Sequence, residues 1–160
     1  MANDLFVELQ EKLEGKKVRI VFPEAYDERV LEAAVKLSAT SYVQPVLVGK
    51  KEKVEEIAQP LFLNVSGIEF VDHENYEKYD EMVAKFVERR AGKVNEEKAR
   101  ELLQDVNYFG TMLVYMGEVE GLVSGAIHST GDTVRPALQI IKTKPGVSRT
   151  SGAFIMSRNA

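Results

Sequence analysis

The sequence predicts an α/β fold, built on a mostly parallel sheet with helices on both of its faces. Short apolar runs alternate along the chain with longer segments in which apolar residues recur every three or four positions, as expected for strands that alternate with helices. The runs are continuously apolar rather than alternating, which is typical of strands covered on both faces. The 160 residues are 44% hydrophobic and 29% charged, an ordinary composition for a globular domain.

The first predicted elements are a helix, a strand and a second helix. Apolar residues at helical spacing predict a helix over residues 3–13, which Gly15 ends. The β-branched run at 18–22 predicts a strand that stops at Pro23, because proline cannot donate to a sheet. Helical spacing of apolar residues returns at 27–40.

Two further strands follow, with a helix between them. The apolar run at 44–48 predicts a buried strand that ends at Gly49. Residues 50–59 have helical spacing and stop before Pro60, since the residue before a proline avoids helical geometry. A shorter apolar run at 68–71 predicts the third strand.

Three helices, a fourth strand and one more helix are predicted next. Helical periodicity covers residues 79–90, 95–104 and 106–116. The apolar run at 121–125 predicts the fourth strand, and a helix is predicted over 134–142. The fourth strand, its polar loop and this helix therefore form one strand–loop–helix unit.

Pro145 and Gly146 mark a predicted domain boundary. We expect residues 1–145 to form an amino-terminal α/β domain that is incomplete, and residues 146–160 to begin a second one. The last stretch contains a single predicted strand, at 152–156. Because exposed apolar strands recruit other strands, we expect the chain to self-associate through this end.

Composition excludes several classes of site. The chain has no cysteine, which excludes disulfides, iron–sulfur clusters and thiolate zinc sites. Its two histidines, His73 and His128, lie far apart in the sequence and indicate no metal site. No apolar run approaches ~18 residues, so no membrane span is predicted, and the charged amino-terminal segment does not resemble a signal peptide. We expect a soluble, cytoplasmic protein without a bound metal.

Charge is distributed unevenly along the chain. The net charge of −4 disfavours nonspecific nucleic-acid binding, which needs a dominant basic face. Residues 1–120 hold 16 basic and 24 acidic residues, whereas residues 121–160 hold five basic residues and one acidic residue, Asp132. A basic, glycine-containing stretch in an otherwise acidic chain favours a small anionic ligand. The alternative is that these charges only solvate a surface.

The loop that follows the fourth predicted strand is the best candidate for a binding site, because ligands bind beyond the carboxyl ends of parallel strands. Thr133 is placed to cap the next helix, so that Val134 and Arg135 begin it and Pro136 falls in its first turn. Free amides and the helix dipole favour an anion at such a position.

Four residues around this helix start could contact the anion. Ser129 and Thr130 offer hydroxyl donors, and Gly131 permits a close approach of the backbone. Arg135 offers a planar fork that suits phosphate. The alternative interpretation is a capped helix with a solvated arginine.

Arg90 is the second candidate. It continues the apolar side of its predicted helix, beyond Phe86 and Val87, whereas Arg89 aligns with the polar side. An arginine at the end of a buried stripe is usually paired or directed into a cleft. Alternatively, its stem packs and its head group reaches solvent at the end of the helix.

The run VSGAIHSTGDTVRPALQIIKT at 123–143 closely resembles the phosphate acetyltransferase (phosphotransacetylase) family. The segments VFPE at 21–24, VLVG at 46–49 and FVERR at 86–90 are similar to the amino-terminal half of the same family. The resemblance covers essentially the whole chain, but the chain covers only about half of the family.

The resemblance implies the first domain of a two-domain α/β acyltransferase, with the active site in the cleft between the domains, and a homodimer. Such enzymes interconvert acetyl-CoA and phosphate with CoA and acetyl phosphate; CoA is a substrate, and no cofactor is tightly bound. The resemblance assigns Arg135 and Arg90 to catalysis at the phosphate end of the substrate. We expect Ser129, Thr130, Gly131 and Thr133, at the start of the same helix, to bind that end with them. The residues that act near the CoA thiol lie in the carboxyl-terminal half of the family and have no counterpart here.

Three alternatives remain open from the sequence. The chain could belong to a related acyltransferase that acts on butyryl groups, because the residues of the acyl pocket cannot be identified from the sequence. A noncatalytic phosphate- or nucleotide-binding α/β module could share the basic end. A dehydrogenase-like relative would need nicotinamide and usually a metal, and the chain has no acidic ligand cluster to hold one. We expect small-molecule partners, with no nucleic acid and no membrane.

Overall fold

The computed structural model describes residues 2–13 and 15–150, and four strands within them form a single parallel sheet. The strands are β1 (Val18–Phe22), β2 (Val43–Val48), β3 (Glu69–Val71) and β4 (Gly121–Leu122). Their order in the sheet is β3-β2-β1-β4. Val21 of β1 lies opposite Val46 on one side and Leu122 on the other. The predicted parallel α/β architecture is confirmed.

Seven α-helices connect or precede the strands in the described part of the chain. They are α1 (Ala2–Leu13), α2 (Glu28–Ser38), α3 (Lys51–Ala58), α4 (Tyr79–Arg90), α5 (Glu96–Leu102), α6 (Val106–Tyr115) and α7 (Thr130–Ile140). The side chains of Asp27, Asn95 and Asp105 accept hydrogen bonds from first-turn amides of α2, α5 and α6, which is how short polar residues fix a helix start. A 3₁₀ turn at Gln59–Leu61 follows α3 directly and includes Pro60, before which the helix was expected to end.

Two apolar clusters cover the two faces of the sheet. On one face Val21, Val46 and Val48 pack with buried residues of α4, α5 and α6. On the other face Phe22 and Leu47 pack with residues of α2 and α3. Successive strand residues thus point to opposite cores, and the predicted helices on both faces are confirmed. No helix of the described residues is long and apolar enough to cross a bilayer.

The strand–loop–helix unit differs from its prediction at both ends. The strand was expected to reach residue 125 but ends at Leu122, because the amides beyond Val123 donate to a side chain rather than to the sheet. The helix was expected to begin at Val134 with Thr133 as its cap, but it begins at Thr130 and Ser129 is the cap. The last predicted strand, at 152–156, lies outside the described residues.

The earlier start of α7 places Pro136 inside the helix rather than in its first turn. A proline at this position cannot donate to the carbonyl of Asp132, four residues earlier, so that one helical hydrogen bond is missing. Pro136 is buried together with Ile140. Packing of this face against the protein therefore compensates for the lost bond.

Candidate anion site at the carboxyl ends of β1 and β4

The loop between β4 and α7 lies beside the segment that follows β1. In an open parallel sheet, ligands bind beyond the carboxyl ends of the strands, where such loops meet. Because β1 and β4 are neighbours in the sheet, the loop at 123–129 comes next to Glu24, two residues after the end of β1. The candidate site consists of this loop, Glu24 and the amino-terminal half of α7.

The carboxylate of Glu24 holds the loop from inside. Glu24 is 4% exposed. Its Oε2 accepts hydrogen bonds from the amides of Gly125 (3.0 Å) and Ala126 (2.7 Å). Its Oε1 accepts from the amides of Ile127 (2.9 Å) and His128 (3.1 Å). Four successive N–H groups converge on one anion, as they do in backbone nests that bind phosphate, but here the anion belongs to the protein.

Glu24 is ionised in the folded protein. Burial raises the pKa of its carboxyl group, but the amides of Ile127 and Ala126 and the imidazole of His128 outweigh this effect and lower the pKa to about 2. A carboxylate that accepts this many hydrogen bonds fixes the backbone of the loop. The same bonds leave the amides of residues 125–128 unavailable to a ligand.

Two further side chains tie the loop to its surroundings. Arg29 Nη2 donates to the carbonyl of Ala126 (2.9 Å) and pairs with Asp27, the cap of α2. The hydroxyl of Ser124 donates to Oδ1 of the buried Asn107 in α6 (2.6 Å). The loop is therefore attached to helices on both faces of the sheet as well as to Glu24.

Sequence reasoning did not assign Glu24 to the site. Its position directly after a buried strand allows it to line a cleft, but that position favours a turn or a cap. Glu24 is separated by 101 residues or more from the amides that it binds, so no local spacing connects them.

His128 is held by the same carboxylate. Its Nδ1 lies 2.7 Å from Glu24 Oε1, and its side chain is 24% exposed. Its Nε2 has no hydrogen-bond partner among the described residues. His128 is directly followed by Ser129, so the imidazole is placed at the entrance to α7.

Of the four predicted hydroxyl and backbone donors, two are occupied. The hydroxyl of Ser129 donates to Asp132 Oδ2 (2.7 Å) and accepts from the Asp132 amide (3.2 Å). The hydroxyl of Thr133 donates to the carbonyl of Ser129 (3.1 Å). The other donors are free in the described part of the chain. No acceptor bonds to the first-turn amides of Thr130 and Gly131, and the Thr130 hydroxyl has no hydrogen-bond partner.

Arg135 is brought next to these free amides. Its side chain is 59% exposed, and its Nη1 lies 3.7 Å from Asp132 Oδ1, which is too long for a strong ion pair. Its Nη2 lies 3.7 Å from the position that a Cβ would occupy on Gly131. The guanidinium group therefore folds back over the first turn of α7, beside Gly131, which has no side chain to block it.

Arg90 contacts the other end of α7. Its Nη1 donates to the carbonyl of Gln139 (3.1 Å). Arg89 was expected on the solvated side, but its guanidinium group donates to the carbonyls of Ile140 and Ile141. Cations are favourable at a helix carboxyl terminus, where carbonyls lack partners. The two arginines thus attach the end of α4 to the end of α7.

Tyr108 lies close enough to both candidate arginines for their charges to act on its hydroxyl. Its hydroxyl donates to Gln139 Oε1 (3.1 Å). Burial raises the pKa of Tyr108, and the charges of Arg135 and Arg90 both act in the opposite direction. Arg90 and Arg135 therefore act on one buried hydroxyl, although Gln139 lies roughly 13 Å along α7 from Thr130.

The arrangement can bind a compact anion. Free amides at a helix start and an exposed guanidinium group are the donors that phosphate takes in proteins. Within residues 2–13 and 15–150, no three His, Cys, Asp or Glu side chains are grouped so that they could hold a metal ion.

Comparison with known proteins adds a family model and close relatives. The chain matches the model of phosphate acetyl/butaryl transferases over residues 4–160. Phosphate acetyltransferase from Staphylococcus aureus (strain Mu50) is 62% identical over 153 residues, which is 96% of this chain and 47% of the relative. The enzyme of the same name from Staphylococcus epidermidis (strain ATCC 12228) is 60% identical over 153 residues, again 96% of this chain, and 46% of the relative is covered.

Two solved structures are similar over the same extent. The EutD phosphotransacetylase from Staphylococcus aureus has a TM-score of 0.91 and 60% identity, with 99% of this chain and 48% of that chain covered. A phosphotransacetylase from Streptococcus pyogenes has a TM-score of 0.91 and 51% identity, with 98% and 47% covered. The chain spans about half the length of the curated relatives it matches.

Proposed function

Because this chain belongs to the phosphate acetyl/butaryl transferase family, we propose that it supplies the amino-terminal half of a phosphate acetyltransferase. Such an enzyme transfers an acetyl group reversibly between CoA and inorganic phosphate. The observation that carries the proposal is the 62% identity, over 96% of this chain, with a relative named phosphate acetyltransferase. The free donors at the start of α7 are consistent with it.

The amino-terminal half of α7 would hold the phosphate end of acetyl phosphate. The amides of Thr130 and Gly131, the Thr130 hydroxyl and the Arg135 guanidinium group would donate to the phosphate oxygens. Ser129 and Thr133 would stabilise the backbone of the helix start rather than contact the phosphate, because their hydroxyls already donate hydrogen bonds within it. Arg90 would add positive charge through its position beside Tyr108 and Gln139.

These donors would contribute to the reaction by stabilising the phosphate group as it leaves. When a CoA thiolate attacks the acetyl carbonyl, negative charge develops on the phosphate oxygens. Donors that are already oriented stabilise that charge without reorganising. CoA would be a substrate, with no tightly bound cofactor, and the residues near its thiol would come from the other half of the enzyme.

We also propose that residues 1–145 form the amino-terminal domain and that residues 146–160 begin the second one. Gly146 has a φ of +80°, as in a turn that only glycine adopts readily, and it follows α7 by six residues. A cytoplasmic location is proposed on the same family grounds.

The proposed activity can be tested by adding acetyl phosphate and CoA to the protein and measuring the absorbance of the thioester that forms. The 160-residue chain alone should show little or no turnover, because loss of general-base help alone costs ~10²–10⁴-fold. The same chain joined to the carboxyl-terminal half of the Staphylococcus aureus relative should turn over. Butyryl phosphate as a second substrate distinguishes the butyryl alternative.

Two outcomes would contradict the assignment. Rapid turnover by the pure 160-residue chain would mean that the chemistry does not need the other half. A chimera that folds and binds CoA but does not transfer the acetyl group would mean that this chain is not the matching half of such an enzyme.

We propose that the chain also self-associates as a homodimer. The outer face of α7 carries three exposed apolar side chains at helical spacing, Val134, Leu138 and Ile141, and exposed apolar stripes mark interaction surfaces.

Leu138→Asp should weaken the self-association. The mass measured by light scattering should then rise less as the protein concentration is raised. Phe62→Asp, which removes an exposed apolar residue at the end of the 3₁₀ turn, is the matched control and should leave it unchanged. A monodisperse monomer before mutation would contradict this proposal.

A further inference from the structure

The buried carboxylate of Glu24 holds the partly exposed imidazole of His128 directly before the start of α7. We propose that His128 is a catalytic residue whose Nε2 exchanges a proton with the bound phosphate group, and that Glu24 is the positioning residue that directs it. This inference rests on the proposed function of the site. His128 lies within the resembling run at 123–143, but the resemblance assigns it no role.

The hydrogen bonds around Glu24 determine the tautomer of the imidazole. The carboxylate accepts from four amides and is ionised, so it has no proton to share. The Nδ1 of His128, 2.7 Å from Oε1, must therefore carry the hydrogen. In the neutral imidazole the Nε2 then holds the free lone pair.

A carboxylate behind an imidazole has two effects that suit proton transfer. It keeps the ring in one orientation, and it stabilises the imidazolium ion that forms when Nε2 takes up a proton. Nothing within the described residues uses Nε2.

The position of His128 connects it to the anion site. His128 is directly followed by Ser129, the cap of α7, and Thr130 and Gly131 with their free amides come next. The charged groups nearest along the chain and across the loop are Arg29 of α2, which bonds to the carbonyl of Ala126, and Asp132 and Arg135 in the first turns of α7. A phosphate group bound to the free amides would lie beside the Arg135 guanidinium group, and the proposal places it within reach of the imidazole as well.

In the direction of acetyl phosphate synthesis, the step balances with one proton. A phosphate O–H gives its proton to Nε2 while that oxygen forms a bond to the acetyl carbonyl carbon. The C–S bond breaks and the electron pair stays on sulfur. The proton then returns to the CoA thiolate, so that the products are acetyl phosphate and the CoA thiol. General acid–base help of this kind contributes ~10²–10⁴-fold.

Because the chain has two histidines, nuclear magnetic resonance of the ¹⁵N-labelled imidazoles can test the contact directly on the 160-residue protein. His128 is titrated with pH in chloride and in inorganic phosphate at equal ionic strength, and a His73→Gln variant assigns the signals. We expect Nδ1 of His128 to stay protonated throughout. The titration midpoint of His128 should move up by about one pH unit in phosphate, because an anion stabilises the imidazolium ion, whereas the midpoint of His73 should not move.

The backbone amide signals in the same experiment show whether a negative result contradicts only this inference or also the proposed function. If phosphate shifts the amide signals of Thr130 and Gly131 but not the midpoint of His128, the phosphate site stands and the catalytic role of His128 is overturned. If neither responds to phosphate, both the site and the inference fail.

The variant His128→Asn distinguishes catalysis from a structural role. Asparagine Nδ2 can take the place of Nδ1 and donate to Glu24, but it offers no proton acceptor in the place of Nε2. In the active chimera, kcat should fall by ~10²-fold or more and the dependence of kcat on pH should flatten, while His73→Gln keeps both. An unchanged pH profile, with only a lower melting temperature, would overturn the proposal.

Discussion

Replacing Glu24 by glutamine should lower the free energy of unfolding by about 3 kcal/mol near neutral pH. The pKa of Glu24 is lowered from its ordinary value of 4.5 to about 2 in the folded protein, and each pKa unit corresponds to ~1.4 kcal/mol. Glutamine keeps one acceptor oxygen but turns an NH₂ group toward amides that are themselves donors, so that buried N–H groups lose their acceptor. Urea unfolding at pH 7 measures the change.

The effect should depend on pH in one direction. Because the folded pKa of Glu24 lies below its unfolded value, the unfolded chain binds more protons between pH 4.5 and pH 2. The stabilisation is therefore fully present above about pH 4.5 and is lost as the pH falls toward 2. The stabilities of the native chain and of Glu24→Gln should converge over this interval.

Glu120→Gln is a matched control for this prediction. Glu120 Oε2 also accepts from a backbone amide, that of Arg19 (2.6 Å), but from an exposed position. Its replacement should cost less than ~1 kcal/mol. Equal losses in the two variants, or a gap between the native chain and Glu24→Gln that persists at pH 2, would show that Glu24 does not anchor the loop as an anion.

The contrast between β1 and β4 shows which parts of this fold can be predicted from the sequence. β1 has the predicted bounds, 18–22, because its apolar residues and the following Pro23 are local signals. β4 ends three residues earlier than predicted, because its continuation is set by hydrogen bonds to Glu24, more than a hundred residues away. Periodicity reports on neighbouring residues and cannot report on such a partner.

The start of α7 was wrongly predicted although a local signal was present. Ser129 and Thr133 are both residue types that cap helices. The hydroxyl of Ser129 accepts from the backbone amide of Asp132, three residues later, as an N-cap side chain does, and it donates to the Asp132 carboxylate. Pro136 favoured the later start, because proline is usually found in the first turn. Here the two hydrogen bonds of the Ser129 hydroxyl, together with burial of the proline, decide the boundary.

Charge patterning indicated a candidate site but not the partners of its residues. The basic carboxyl-terminal stretch drew attention to Arg135, which the structure shows exposed beside free amides. Helical spacing placed Arg90 on the inner side of α4, but only the structure shows that the carbonyl of Gln139 accepts from it. A helical wheel specifies a face, whereas a hydrogen-bond partner depends on which helix packs against that face.

Arg135→Ala should weaken the binding of inorganic phosphate to this chain by at least ~10-fold. Charge-assisted hydrogen bonds contribute ~1.5–3 kcal/mol each, and ~1.4 kcal/mol is tenfold in affinity. Arg135→Lys should recover only part of the loss, because an ammonium group cannot donate two parallel bonds. Arg100→Ala removes the same charge from α5, where Asp80 and Glu96 pair with it, and should leave phosphate affinity unchanged. Titration of the amide signals of Thr130 and Gly131 with phosphate measures each affinity.

Arg90→Ala should weaken phosphate binding in the same direction but should also lower the melting temperature. Arg90 donates to α7 as well as acting on Tyr108, so its removal loosens the attachment of α4 to α7 and displaces the helix that carries Arg135. Arg135 has no such structural contact among the described residues, where its one ion pair, with Asp132, spans 3.7 Å and its side chain is 59% exposed. If both alanine variants keep normal phosphate affinity and only melt earlier, the two arginines serve the fold, and the phosphate group must be bound elsewhere.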